Sequence, residues 1–205
     1  MTETPLKVDF ITGAVDYRRR HGGGRGQPLP RALGFRPGIT PEVVDATAGL
    51  GRDAFLIASL GAKVTLIERN ETVHGLLQTA MEIAAQESDI HHEIISRMTL
   101  LKGDARDILA ELTPETVLID PMHPPRGKSA LVKSEMRQLR AIVGTDPDCA
   151  ELMKIALAVA TKRVVLKWPR RAEPMPGLRA PSHQIVGKST RYDVFMMLPA
   201  PPDQS

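Results

Sequence analysis

A single cysteine, Cys149, is all the thiol this 205-residue chain carries, so no internal disulfide can form, and no Cys/His zinc spacing is present. No apolar stretch approaches the roughly 18 residues of a membrane span. The opening MTETPLKVDF lacks a basic start leading into an apolar run, so it does not read as a secretory signal. A cytoplasmic setting without metal or membrane is the expectation. Aromatic residues are only 3% of the chain. Acids are missing from one segment: none lies between Asp16 and Glu42, where Arg18, Arg19, Arg20, Arg25, Arg31 and Arg36 all fall.

What is present is ordinary for a globular protein: 42% hydrophobic, 25% charged, formal net charge +3. Two further basic runs add to the lopsided charge. One holds Arg126, Lys128, Lys133, Arg137 and Arg140 against Glu135 alone; the other holds Lys162, Arg163, Lys167, Arg170 and Arg171. Three such runs flanking one candidate site point to a polyanionic partner.

From Val43 onward, short aliphatic runs alternate with helical patterns. VVDA, AKVTLIE, MTLLKGD, TVLID and RVVLKW read as five strands, with HQIVGK and RYDVFMML as a closing pair. Helices are predicted over 52–60, 71–85 and 134–143. Another starts in DPDCAELMK, where Asp146 can cap and Pro147 suits the first turn. Near-continuous apolar strands between helices indicate an α/β fold with a mostly parallel sheet covered on both faces. Residues 1–41, with the glycine-rich HGGGRGQP, form an N-terminal extension carrying a basic loop. Residues 42–198 form the main domain, and 199–205 a tail with no reason to fold.

In such a sheet, ligands bind beyond the carboxyl ends of the strands. The first strand runs into DATAGLGRDAF, where Gly49 and Gly51 let the backbone bend and a ligand approach. The next three strands end at Glu68, Asp104 and Asp120. A glycine loop and three carboxylates thus share one rim. Gly49, Gly51 and Ala54 also satisfy G-x-G-x-x-G/A, so an NAD(P)-dependent oxidoreductase is an open alternative. Asp45 and Asp53 beside the loop argue against it, because carboxylates there repel a pyrophosphate. They suit S-adenosylmethionine, which carries a sulfonium, an ammonium, a ribose diol and an adenine but no phosphate. Glu68 would accept from the ribose hydroxyls and Asp104 from the adenine amine.

The stretch DPMHP gives the rim a reaction. Amino-group methyltransferases of nucleic acids place an [Asp/Asn/Ser]-Pro-Pro-[aromatic] motif at the end of the fourth strand. There Asp120 and the carbonyl of Pro121 would hold both N–H bonds of an exocyclic amine, and His123 would stack on the base. A catalytically silent RNA-binding module is the other alternative.

With VDFITGA, GGGRGQPLPRALG, VDATAGLGRDAF, LIERN, DPMHPPRGKSALVKSEMR, ATKRVVLKWPR and TRYDVF in order, nearly the whole chain resembles the ribosomal small-subunit methyltransferase J family of 16S rRNA guanine-N2 methyltransferases. The resemblance implies a class I, Rossmann-like methyltransferase fold with a seven-stranded sheet. It also implies S-adenosylmethionine as cofactor and 16S rRNA or the small ribosomal subunit as partner. By position it puts cofactor contacts on Arg52, Asp53, Glu68, Arg69, Asp104, Ala105 and Asp120. Two positions depart from the family: His123 stands where relatives carry Tyr or Phe, and Trp168 where a basic residue is common. Trp168 could supply stacking surface or join the core. His74, His91 and His92 receive no chemistry, and Cys149 is read as packing.

Overall fold

The computed structural model describes residues 6–121, 138–139 and 148–197. Its elements in chain order are α1 (Gly13–His21), a 3-10 turn (Gly24–Gly26), α2 (Pro28–Leu33), β1 (Val43–Asp45), α3 (Arg52–Ser59), β2 (Val64–Glu68), α4 (Glu71–Glu87), α5 (Asp89–Ile95), β3 (Met98–Lys102), α6 (Ala105–Glu111), β4 (Thr116–Ile119), α7 (Cys149–Val159), β5 (Arg163–Pro169), β6 (His183–Val186) and β7 (Thr190–Met196). The seven strands form one sheet in the order β3-β2-β1-β4-β5-β7-β6. β1 to β5 are parallel, and β7 runs antiparallel to both β5 and β6.

Both sheet faces are covered, and neighbouring residues divide between them. On β4, Val117 and Ile119 join one apolar cluster with Leu109 of α6 and Met153 of α7, while Leu118 joins the other with Phe55 of α3 and Leu77 of α4. That alternation is why the parallel strands read as unbroken aliphatic runs. Helix starts follow local capping: the Asn70 side chain accepts from Val73 N–H, and the Asp104 side chain from Arg106 N–H.

The N-terminal residues pack into this core. Val8, Phe10, Val15, Leu29, Ala32, Leu33 and Phe35 belong to the α3/α4 cluster, and the Phe10 ring stacks on Phe55 with centroids 4.9 Å apart. α1 and α2 were not expected from so glycine-rich a segment; the glycines fall between the helices, at 22–26. Pro28, at the start of α2, suits a first turn. α5 and α6 were also unforeseen. α5 turns the polar stretch around His91 into a capped helix with His91 buried. Of the helix expected at 134–143, residues 138–139 are helical; the rest of it, with Asp146, Pro147 and the tail 199–205, lies outside the described residues.

The chain winds outward from β1 through β2 to β3, then returns to place β4 and β5 on β1's other side. β1 and β4 are therefore the switch point, and the crevice opens above their carboxyl ends.

Candidate active site

That crevice is a cavity of about 300 Å³. Its walls come from the exits of β1, β2, β3, β4 and β5, with α1 contributing Arg18 and α7 contributing Cys149 and Leu152.

The glycine loop after β1 is shaped from both sides. Gly49 has φ +52° and turns its N–H to Glu68, whose Oε2 accepts at 3.0 Å, while Glu68 Oε1 accepts from Asn70 N–H at 2.7 Å. The buried Glu68 carboxylate is thus fixed in plane by two main-chain donors. Gly51, at φ +66°, faces the other way. A Cβ there would sit 2.7 Å from Leu77 and 3.0 Å from Phe10. Its lack of a side chain serves the packing of α4 and the N-terminal segment behind the loop, and Gly51 does not line the cavity.

At the centre lies a chain of charges. Lys167 Nζ donates to Asp120 Oδ2 at 2.6 Å and to Asp53 Oδ2 at 2.7 Å, and Arg18 donates to Asp53 Oδ1 at 2.7 Å. Burial alone would push the lysine's proton affinity down, but Asp53 and Asp120 outweigh it and hold the ammonium above an ordinary lysine. Burial likewise works against the Asp53 anion, and Lys167 and Arg18 reverse it, leaving its pKa below the usual value. Asp45, buried behind this pair, has no cation within salt-bridge distance among the described residues. Burial first, and then the Asp53 charge, push its carboxyl up to about 7, though Thr47 N–H donates to it at 3.2 Å. Thr47 also anchors the exit of β4: its Oγ1 accepts from Asp120 N–H at 2.7 Å.

A second charged group lines the β3 side. Asp104 accepts from Arg106 at its main chain, Nε and Nη2, and the Arg106 hydrogen bond holds its carboxyl down at about 2. Arg69 and Arg106 both reach Asp148, at 2.6 and 3.3 Å, and Arg106 also meets Glu151 at 2.6 Å.

The structure brings together Gly49, Arg52, Asp53, Glu68, Arg69, Asp104, Ala105, Asp120 and Pro121 around one cavity. His123 lies outside the described residues, as does the second basic run. The expectation that three basic runs flank the site does not describe the third. Arg163 pairs with Thr116 at the amino end of the sheet, and Lys162 meets Glu115 there, while Lys167 projects at the carboxyl end. The first run is partly turned inward. Arg18 is in the site, and Arg25 donates to Thr40 Oγ1 and to the carbonyls of Leu60, Arg36 and Ile39. Arg25 holds the loop to α3's end. Trp168 packs at the edge of the α6/α7 core cluster and donates from Nε1 to the Glu173 carbonyl.

Lys167, Arg18, Thr47 and Asp148 were not foreseen as site residues. Lys167 alone carried a signal, a lone cation beginning to emerge from an apolar strand, RVVLKW.

The donor set fits S-adenosylmethionine. A buried carboxylate fixed at the end of β2 matches a ribose diol, and the α3 N-terminus, where a dinucleotide would seat its pyrophosphate, carries Asp53 in its first turn with Asp45 behind. Arg18 and Lys167, which also line the cavity, are paired with Asp53 and Asp120.

Residues 1–197 match the family model for SAM-dependent methyltransferases. Proteins named ribosomal RNA small subunit methyltransferase J are similar throughout. That of Agrobacterium fabrum is 65% identical over 190 residues, 93% of this chain and 91% of the relative. That of Pseudomonas paraeruginosa is 47% identical over 93% of this chain and 74% of the relative. Among solved structures, a SAM-dependent methyltransferase from Neisseria gonorrhoeae aligns with TM-score 0.75 at 35% identity, over all of this chain and 79% of the other. An RNA methyltransferase from Salinibacter ruber, solved with S-adenosyl-L-homocysteine, shares the fold at TM-score 0.50 and 15% identity, over 80% and 86% of the two chains.

Proposed function

Because this chain belongs to the SAM-dependent methyltransferase family that its whole described length matches, we propose that its cavity methylates the exocyclic N2 amine of one guanine in small-subunit rRNA. The relatives named ribosomal RNA small subunit methyltransferase J support rRNA as the substrate. S-adenosylmethionine, when bound, supplies an electrophilic methyl. The protein's task is to aim a weak nucleophile at it, since the lone pair of a base amine is delocalised into the ring.

The observation that carries this reading is the fixed carboxylate of Asp120. Thr47 holds its main chain and Lys167 its side chain, in the same cavity as Glu68 and Asp104. Asp120 and the Pro121 carbonyl accept the two N–H bonds and orient the nitrogen, and the carboxylate offsets the positive charge that grows there. Residues 42–198 would form the catalytic domain and 1–41 an extension that presents cations to RNA. The enzyme would act in the cytoplasm; among the described residues no helix is long and apolar enough to cross a membrane.

The test is transfer of labelled methyl from S-adenosylmethionine to small-subunit rRNA that lacks the modification, followed by mass mapping of nucleosides. One N2-methylguanosine is expected. Label on adenosine, or spread over many sites, would reject the N2 assignment, and RNA binding without transfer would favour the silent module.

A further inference from the structure

Seven aromatic residues of the Phe, Tyr and Trp classes occur in the chain. Phe10, Phe35, Phe55, Tyr192 and Phe195 are buried, and Trp168 is half-buried. Tyr17 is 67% exposed. A lone exposed aromatic is by itself unremarkable on a protein surface. This one stands on the arginine-rich helix α1, and its ring is already stacked. The His21 imidazole, one turn on, lies with its centroid 4.6 Å from the tyrosine ring at an interplanar angle of 27°. Its Nδ1 is 3.3 Å from the Tyr17 carbonyl, which helps hold the ring in place.

The helix beneath is anchored. Val15 and Asp16 are buried, and Asp16 pairs with both Arg19 and Arg20. Arg18, the next residue after Tyr17, enters the cavity and holds Asp53. At 3.6 residues per turn, Arg20 projects about 60° from the direction of Tyr17, and its side chain is 58% exposed. A rigid aromatic face, an adjacent solvent-exposed guanidinium and a position one residue from the cavity wall occur together. That pairing of π-face and cation is what an unpaired nucleotide uses, the base stacking while the phosphate meets the charge.

We propose that Tyr17, backed by His21 and flanked by Arg20, is a stacking platform for an unpaired base of the RNA substrate beside the one being methylated. This rests on the RNA reading of the active site. The platform places a flanking nucleotide at the cavity mouth and so contributes to which single-stranded segment is presented. A protein partner would find too little here: among the described residues of this helix face, one ring pair and one guanidinium.

The test separates stacking from charge through salt. Binding of a short labelled single-stranded oligoribonucleotide, and of small-subunit rRNA, is measured over a salt series for wild type, Tyr17→Ala, Tyr17→Phe and Arg20→Ala. Base–aromatic stacking of about 1–3 kcal/mol converts to roughly 5- to 150-fold. Tyr17→Ala should therefore weaken binding at least fivefold at every salt concentration, giving a line parallel to wild type, and Tyr17→Phe should stay within about twofold. Arg20→Ala should flatten the slope by about 0.7, one phosphate contact on a single strand. Binding of S-adenosyl-L-homocysteine should be unchanged in all three. Tyr17→Ala binding within twofold of wild type, or a changed slope, would overturn the platform while wild-type methyl transfer left the enzyme reading standing. A wild-type protein that neither binds nor methylates RNA would remove both.

Discussion

Lys167 on β5 and Asp120, the residue after β4, meet at the exits of adjacent parallel strands, and the lysine ammonium sits 2.6 Å from the aspartate oxygen while holding Asp53 at 2.7 Å on its other side. One cation therefore reconciles two carboxylates that would otherwise repel each other in a half-dry site. Lys167→Met should leave both without it. The expected loss is about 3 kcal/mol, the low end for breaking a buried pair because Asp120 is partly open to solvent. Adding Asp53→Asn should restore part of it. Urea midpoints measure both, and an unmoved midpoint in the single variant would mean the bridge contributes nothing to folding.

Asp120 itself should matter more to rate than to stability. Losing one preorganised partner of the amine costs about 2.7–4 kcal/mol, or roughly 10²–10³ in turnover. Turnover should fall in the order Asp, Asn, Ala, with RNA affinity little changed. The check is turnover at saturating cofactor: if excess S-adenosylmethionine restores Asp120→Ala, the residue binds cofactor and does not orient the amine.

Glu68→Ala should weaken S-adenosyl-L-homocysteine roughly 10- to 150-fold, the equivalent of about 1.5–3 kcal/mol for a charge-assisted hydrogen bond. Part of that loss comes from releasing Gly49, whose N–H rests on the same carboxylate. Calorimetry reads the affinity, with NAD and NADP as controls that should show no heat. Saturable NAD binding would contradict the assignment of the pocket.

Asp45 predicts a pH effect of definite sign. Its carboxyl is raised to about 7 in the fold against an ordinary value of 3.8, so between those two values the native state binds more protons than the unfolded chain. Stability contributed by protonated Asp45 is present at acid pH and is lost as pH rises toward 7, by at most about 1.4 kcal/mol per pH unit. Asp45→Asn keeps an acceptor for Thr47 N–H and cannot ionise. Its stability relative to wild type, followed by thermal melts from pH 5 to 8, should therefore improve with rising pH. A constant difference over that range would show that Asp45 does not titrate there.

The strands and the glycine loop were legible because burial on both faces leaves a direct imprint: VVD, VTLIE and TVLI are mostly aliphatic, with no polar residue at every second position. The carboxylates at the strand ends were legible because topology fixes where those ends go. Pairing across the chain was not. Nothing near Arg18 in the sequence announces Asp53, 35 positions away, so it read as one more surface arginine; nor does Lys167 announce an Asp53 114 positions distant. Removing Arg18, Arg19 and Arg20 together would thus disturb the site as well as any RNA contact, and Arg20 alone is the surface probe. Gly51 misled differently: the φ it needs is visible in the pattern, but the atoms that forbid a Cβ belong to Phe10 and Leu77.

The sheet order β5-β7-β6 also bears on how the protein is made. The strand synthesised last among the seven sits between two synthesised before it, so β6 has no place in the sheet until β7 arrives to carry it. Until then Lys167 lacks its neighbour Tyr192, and the Leu166 backbone lacks Asp193. The N-terminal segment waits longest, since Arg163 donates to the Ala32 carbonyl across 131 residues. Contacts of such long range are slow to close. A growing chain would therefore expose Leu29 and Leu33 of α2, which packs against β5, β6 and β7, for most of its synthesis, and would gain a finished catalytic pocket only in its final stretch.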